Sequence, residues 1–196
     1  MYRIIFKRLL DVLVAGLLFL TILPFVIIYV LFRNKPFFVQ KRIGLNGTEF
    51  NMYKFRSMSD KRDQSGFLLP DKDRITKFGG FIRATSIDEL PQLINVLKGD
   101  MSLVGPRPML PYYMGLYNEF QKRRNEVKPG ITGLSQIKGR NLLPWLKRFE
   151  YDVFYVENLS FTLDLTILLR TFVLLFRREK KEEGINSPSV EFEGNK

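Results

Sequence analysis

From Val12 to Phe32 the chain runs 21 consecutive residues without a charge. About 20 apolar residues are enough to cross a bilayer, so this helix must meet either lipid or a large core. A cleaved leader does not fit, because the run is too long for one and no small-x-small site follows it. The flanks add a second constraint. Arg3, Lys7 and Arg8 precede the run, and Arg33, Lys35, Lys41 and Arg42 follow it. A spanning helix collects basic residues on its cytoplasmic side, and here both ends call for that side. Pro24, near the middle, removes a helix hydrogen bond and favours a bend. A re-entrant membrane helix over 1–35, kinked near Pro24 and returning to the face it entered, satisfies both observations. Its freed backbone groups then need local partners. The alternative is a single-pass anchor with a tolerated proline.

The 196 residues suit one domain plus a terminal element or two. Histidine and cysteine are absent from the sequence. That excludes Cys/His zinc sites, thiol nucleophiles, disulfides and triads with an imidazole base. Carboxylates, lysines or tyrosines must do any proton or nucleophile chemistry, and a metal would be a hard, oxygen-bound ion such as magnesium. A formal net charge of +11 points to anionic partners: nucleic acid, acidic headgroups or phosphorylated substrates.

Residues 37–58 predict a β-hairpin. Phe37 to Ile43 is rich in strand formers, Asn46-Gly47 is a turn dipeptide, and Phe50 to Met58 continues extended. Tyr53 and Phe55 alternate with Lys54 and Arg56, which puts both cations on one face; a plain solvated basic face is the simpler reading. Residues 59–74 are polar and turn-rich, a mobile loop over or beside a site. The pattern predicts a charged surface helix over 112–127, loops at 128–133 and 139–141, and a helix over 145–158. Residues 161–176 are apolar but carry Asp164 and Arg170. They suit an interfacial helix, with Arg177-Arg178 ready for acidic headgroups, or a core helix. The tail from Glu179 to 196 is charged and predicted to be disordered.

Residues 83–108 hold the strongest candidate site. Leu90, Leu93, Ile94 and Leu97 fall on one helical face, and Gly99 stands where the helix should stop. Pro91 belongs in a first turn, which puts the helix start near Ile87 or Asp88. Asp88 and Glu89 then sit at a helix N-terminus, where the dipole favours anions and an ionised carboxylate. Arg83 precedes them and Arg107 follows between two prolines. Two anions among cations suggest chemistry on a phosphate; a capping box from Ser86 to Glu89 explains the same residues structurally.

The motifs Lys54-Phe-Arg-Ser-Met58, Ser86-Ile-Asp-Glu-Leu-Pro-Gln92, Asn95 through Pro108 and Pro129-Gly-Ile-Thr-Gly133 resemble the bacterial sugar transferase family, the monotopic phosphoglycosyl transferases. The likeness runs from about Lys7 to Phe176. It implies transfer of sugar-1-phosphate from a UDP-sugar to polyprenyl (undecaprenyl) phosphate, with release of UMP, as the opening membrane step of glycan assembly. It further implies that Asp88 is a nucleophile forming an aspartyl-phosphosugar, that Glu89 helps hold Mg2+, and that Lys54, Arg83, Arg107 and Arg56 bind phosphates. The implied location is the cytoplasmic face of a bacterial inner membrane, with membrane lipids and no nucleic acid as partners. Leu23-Pro24 departs from the Ser-Pro common in the family. The chain resembles the minimal form, whose size points to an N-acetylated or diacetamido donor.

The expected architecture is therefore α/β but mainly helical: a re-entrant helix (1–35), a compact globular catalytic unit with a β-hairpin and interfacial amphipathic helices (36–178), and a charged tail (179–196). A membrane-anchored protein binding nucleic acid or acidic lipid is the main rival, and a glycosyl transferase releasing UDP the second.

Overall fold

The computed structural model describes residues 2–139, 143–176 and 192–195. It is mostly helical. After a wider π-type turn at Tyr2–Phe6, helix α1 spans Lys7–Leu31 and runs through Pro24. It is the one helix among the described residues long and apolar enough to cross a membrane. Only Lys7, Asp11 and Ala15 of α1 are buried, while Leu13, Leu17, Leu20, Phe25 and Leu31 are exposed.

Both ends of α1 touch the same globular body. At the start, Lys7 Nζ donates to Asp164 Oδ2 at 2.7 Å and to the Val104 carbonyl at 3.0 Å. Asp11 Oδ1 accepts from Ser102 Oγ and the Leu103 N–H, both at 3.0 Å. At the other end the Tyr29 hydroxyl donates to the Arg56 carbonyl at 3.2 Å, and its ring lies 4.6 Å from that of Phe55. At 1.5 Å per residue, these ends would be about 33 Å apart in a straight helix. The helix therefore meets the body at both ends rather than projecting from it as a free stalk.

The expected hairpin forms: β1 (Phe37–Ile43) pairs antiparallel with β2 (Glu49–Phe55), Phe37 opposite Phe55 and Ile43 opposite Glu49. Its turn uses Asn46 and Gly47 at φ 53° and 80°, the left-handed region that Asn and Gly tolerate best. The polar stretch after it makes isolated bridges, Met58 with Ile75 and Arg62 with Leu68, and a single helical turn, α2 (Asp71–Arg74). Helix α3 (Lys77–Ala84) follows, capped by Thr76, whose side chain accepts from the Gly79 N–H.

The central helix starts later than its pattern suggests. Ser86 is left-handed at φ 60°, a 3-10 turn occupies Ile87–Glu89, and α4 begins only at Gln92 and ends at Lys98. Ser86 makes no capping hydrogen bond, so the capping box does not form. Gly99 does stop the helix, at φ 93°. The expected helix over 112–127 is broken into 3-10 turns at Pro111–Leu116 and Arg123–Glu126 around a short α5 (Glu119–Lys122). Asn118 interrupts it by capping a new start with Gln121, and Tyr113, Gln121, Arg124 and Asn125 face inward rather than to solvent.

Two three-residue strands, β3 (Ser102–Val104) and β4 (Gly130–Thr132), pair in parallel. Their glycines explain two of the motifs. A Cβ on Gly105 would run into the Lys128 carbonyl, and one on Gly133 into the Gly105 carbonyl. The Gly-Pro-Arg-Pro and Pro-Gly-Ile-Thr-Gly segments are thus two sides of one close backbone contact. Helices α6 (Leu134–Gly139), α7 (Trp145–Glu157) and α8 (Phe161–Phe176) close the body. In α8, Asp164 and Ile167 are buried while Phe161, Leu165, Leu169 and Phe172 are exposed, so one face is core and the other an open apolar surface.

The main core joins Ala15, Met52, Val96, Met101, Val104 and Ile167. A second, aromatic cluster packs Tyr113, Tyr117 and Phe149 with Phe192. In the stretch expected to be a disordered tail, the four described residues 192–195 dock here: Phe192 is buried and Asn195 Oδ1 accepts from Gln121 Nε2 at 2.6 Å. Arg177-Arg178, the rest of 179–196 and most of the 139–141 loop lie outside the described residues.

Candidate active site

Three segments bring Lys54, Asp88, Glu89 and Arg107 together. Lys54 projects from β2, whose register is held by Asn95 of α4: Asn95 Oδ1 accepts the Tyr53 N–H at 3.1 Å, and Asn95 Nδ2 donates to the Asn51 carbonyl at 2.7 Å. Asp88 and Glu89 come from the 3-10 turn behind Ser86. The left-handed Ser86 costs of order 1–2 kcal/mol; it lets the chain reverse out of α3 and present both carboxylates at once. Arg107 follows β3 in the proline-flanked segment, and its carbonyl accepts from Arg124 Nη2 at 2.8 Å.

Glu89 is the hub. Its Oε1 accepts from Lys54 Nζ and from Arg107 Nη2, each at 2.9 Å. Burial pushes the Glu89 carboxyl up, but Arg107 and Lys54 outweigh it and bring it down to about 2. Burial and then Arg107 push the Lys54 ammonium down. Glu89 holds the Arg107 guanidinium above its usual value. Asp88 differs. Its residue is 9% exposed, yet its carboxylate accepts no hydrogen bond among the described residues. Burial raises its pKa; Lys54, Arg83 and Arg107 oppose this, and Glu89 adds to it. The helix-end field does not decide the matter, because α4 begins beyond the pair. The cations stand in for it.

Arg83, at the end of α3, acts on Asp88 by charge and donates to Met58 Sδ at 3.5 Å. Arg56 is not drawn into the cluster: its Nη1 pairs with Asp60 at 2.8 and 3.0 Å. Pro24 lies far along α1. Arg42 is a residue that motif reasoning passes over. It lines a small niche with Met52, Gln92, Arg107 and Pro108, and donates to the Pro108 carbonyl at 3.3 Å. Burial and the neighbouring Arg107 lower it to about 10, and its buried Nε has no hydrogen-bond partner among the described residues. The available signal is strand alternation, since Gln40 and Arg42 share the Lys54 face.

Asp88 and the unengaged Oε2 of Glu89 are hard oxygen donors. No group of three or more His, Cys, Asp and Glu gathers among the described residues. The donor set suits an ion that takes one or two carboxylates and completes its shell with substrate phosphates and water, as Mg2+ does. A buried carboxylate without a hydrogen bond, ringed by cations, can attack an electrophilic phosphorus while the cations bind its oxygens.

The bacterial sugar transferase family matches residues 2–178. The chain is 55% identical to the uncharacterized sugar transferase EpsL of Bacillus subtilis, covering 92% of this chain and 90% of the relative. It is 38% identical to a UDP-glucose:undecaprenyl-phosphate glucose-1-phosphate transferase of Klebsiella pneumoniae, over 86% of this chain and 40% of the relative. It is 36% identical to an undecaprenyl-phosphate galactose phosphotransferase of Salmonella typhimurium, over 88% of this chain and 41% of the relative. The chain thus spans nearly all of EpsL and about two fifths of the other two. It belongs to the bacterial sugar transferase family.

Proposed function

We propose that the chain is a phosphoglycosyl transferase moving sugar-1-phosphate from a UDP-sugar to undecaprenyl phosphate, with release of UMP, at the start of glycan assembly. The observation that carries this is the contrast within one dipeptide: Glu89 is clamped by Lys54 and Arg107, while the buried Asp88 accepts no hydrogen bond among the described residues. The names of the Klebsiella and Salmonella relatives support the donor and acceptor classes.

In this reading an Asp88 oxygen attacks the phosphorus that bears the sugar. The bond from that phosphorus to the bridging oxygen breaks, and UMP leaves with the electron pair. A phosphate oxygen of the lipid then attacks the same phosphorus, the aspartyl oxygen–phosphorus bond breaks, and the carboxylate is restored. Neither step needs a proton from the protein, which suits a site without histidine. Lys54, Arg107 and Arg83 neutralise charge on the phosphate oxygens. Mg2+, held by Glu89, would supply further neutralisation of the diphosphate.

The body sits at the cytoplasmic face of the inner membrane, with α1 re-entrant. Basic residues at both ends of the apolar run support this, as do the contacts of Lys7 and Tyr29 with one body.

The test uses purified protein in detergent with Mg2+, undecaprenyl phosphate and a panel of UDP-glucose, UDP-galactose and UDP-N-acetyl sugars. Lipid-dependent UMP, preceded by a stoichiometric burst without lipid, is the expected result. Release of UDP would reassign the chain to direct glycosyl transfer, and lipid-dependent UMP without a burst would remove the aspartyl step.

A further inference from the structure

A groove of about 430 Å3 opens between the end of α1 and the strand end of β2, lined among others by Phe32, Arg33, Lys35, Arg56, Met58 and Asp60. We propose that it is the site for a phosphomonoester carried on a lipid, and that it receives the acceptor; the second clause rests on the phosphoglycosyl transferase reading above.

Charge is the first argument. Arg33 lies over the Phe78 ring at 5.1 Å, and its side chain makes no hydrogen bond among the described residues, so its donors are available. Lys35 is exposed, and among the described residues it reaches no carboxylate closer than Asp60, at 3.9 Å. The C-terminal end of α1 carries partial negative charge that these two residues help to balance, but this does not account for Arg56. Among the described residues the Arg56 Nε is buried without a hydrogen-bond partner, and Arg56 pairs with Asp60, whose side chain is 58% exposed. An exposed carboxylate facing two cations occupies the place that a phosphate can take over with more acceptor oxygens and more charge.

Position is the second argument. One side of the rim is apolar: Phe32 lines the groove and is 83% exposed, and Phe78, the ring under Arg33, is exposed too. An anionic head with a hydrocarbon tail matches a cationic floor under an apolar rim. The groove also borders the Asp88 cluster through two of its lining residues, Arg56 and Met58. Arg56 follows Lys54 by two residues, just past the end of β2, about 7 Å on along extended backbone. Met58 lines the groove and accepts from Arg83, which acts on Asp88. An acceptor phosphate held here approaches Asp88 from the lipid side, while Lys54 and Arg107 attend the donor.

The test measures affinity of the full chain in detergent for undecaprenyl phosphate, phosphatidylglycerol and UMP. In the Arg33→Ala/Lys35→Ala variant, affinity for undecaprenyl phosphate falls about tenfold or more, and UMP affinity is unchanged. Arg33→Lys/Lys35→Arg, which keeps both charges, restores it. In turnover the KM for undecaprenyl phosphate rises in step, while the burst of UMP without lipid is unaltered. Unchanged lipid affinity overturns the site. Equal displacement by phosphatidylglycerol would make it a general headgroup contact, and a parallel loss of UMP affinity would make it a nucleotide site; either overturns the proposal. A wild-type chain that never releases UMP would fail the enzymatic reading, and the binding arms would still decide the groove.

Discussion

Two ionic clusters in this molecule use the same residue types to opposite ends. In one, Asp152 Oδ2 accepts from Arg124 Nε at 3.0 Å and Nη2 at 2.7 Å, while Asp152 Oδ1 accepts from Ser135 Oγ at 2.8 Å. Both charged side chains are only 2–3% exposed. In the other, Lys54 and Arg107 converge on one oxygen of Glu89, Asp88 accepts no hydrogen bond among the described residues, and the Arg107 side chain is 46% exposed. The first cluster has nothing left to bind. The second has cations and oxygens to spare. Unused polar capacity, rather than charge density, separates the candidate site from a structural network. The two are also joined, since Arg124 holds the Arg107 carbonyl.

That comparison can be broken most directly at Asp88. Asp88→Asn keeps the shape and removes the nucleophilic charge, so UMP release should fall by on the order of 10⁴-fold. Because burial disfavours the Asp88 charge and no hydrogen bond is lost, the melting temperature should hold or rise slightly. Turnover near wild type would remove Asp88 from the nucleophile's role.

The reverse change strikes the structural cluster. Asp152→Ala leaves the Arg124 guanidinium buried and uncompensated, at a cost of about 3–5 kcal/mol. For a chain of this size that is a fall of about 10 °C in melting temperature, readable by calorimetry. A loss under about 1 kcal/mol would mean that the buried Arg124–Asp152 pair contributes little to holding the fold.

A smaller effect sharpens the electrostatics. In the proposed mechanism Asp88 attacks in its ionised form, so kcat/KM should rise with pH, and burial places that acidic limb above the ordinary aspartate range. Lys54 opposes the rise. Lys54→Met should therefore move the limb to higher pH as well as lowering the rate. A pH profile whose limb stays put would show that Lys54 does not act on Asp88.

Much of the local structure was legible because it depends on neighbours in sequence. The hairpin followed from Asn46-Gly47 and strand formers, the stop at Gly99 from a residue that accepts positive φ, and α7 and α8 from their periodicity. The start of α4 was misjudged because Ser86 adopts a left-handed conformation that serine seldom takes, and no local pattern announces it. The helix expected over 112–127 failed because Asn118 caps a new start and Arg124 turns inward to Asp152. Arg56 and Arg42 looked alike as basic residues on strands, and only packing sent one to Asp60 and the other to the Arg107 niche.

The sequence by itself determined which chemistries are open to this protein: no imidazole or thiol, an apolar helix fit for a bilayer, and an Asp-Glu pair set among cations. Only the tertiary structure decided how the surroundings of the pair differ. Glu89 and Lys54 are 35 residues apart in the chain, and Glu89 and Arg107 are 18 apart. Which carboxylate they neutralise, and which stays free, depends on contacts between distant segments. Such contacts are set by where the core places β2, the Ile87–Glu89 turn and the end of β3, and no local pattern encodes them.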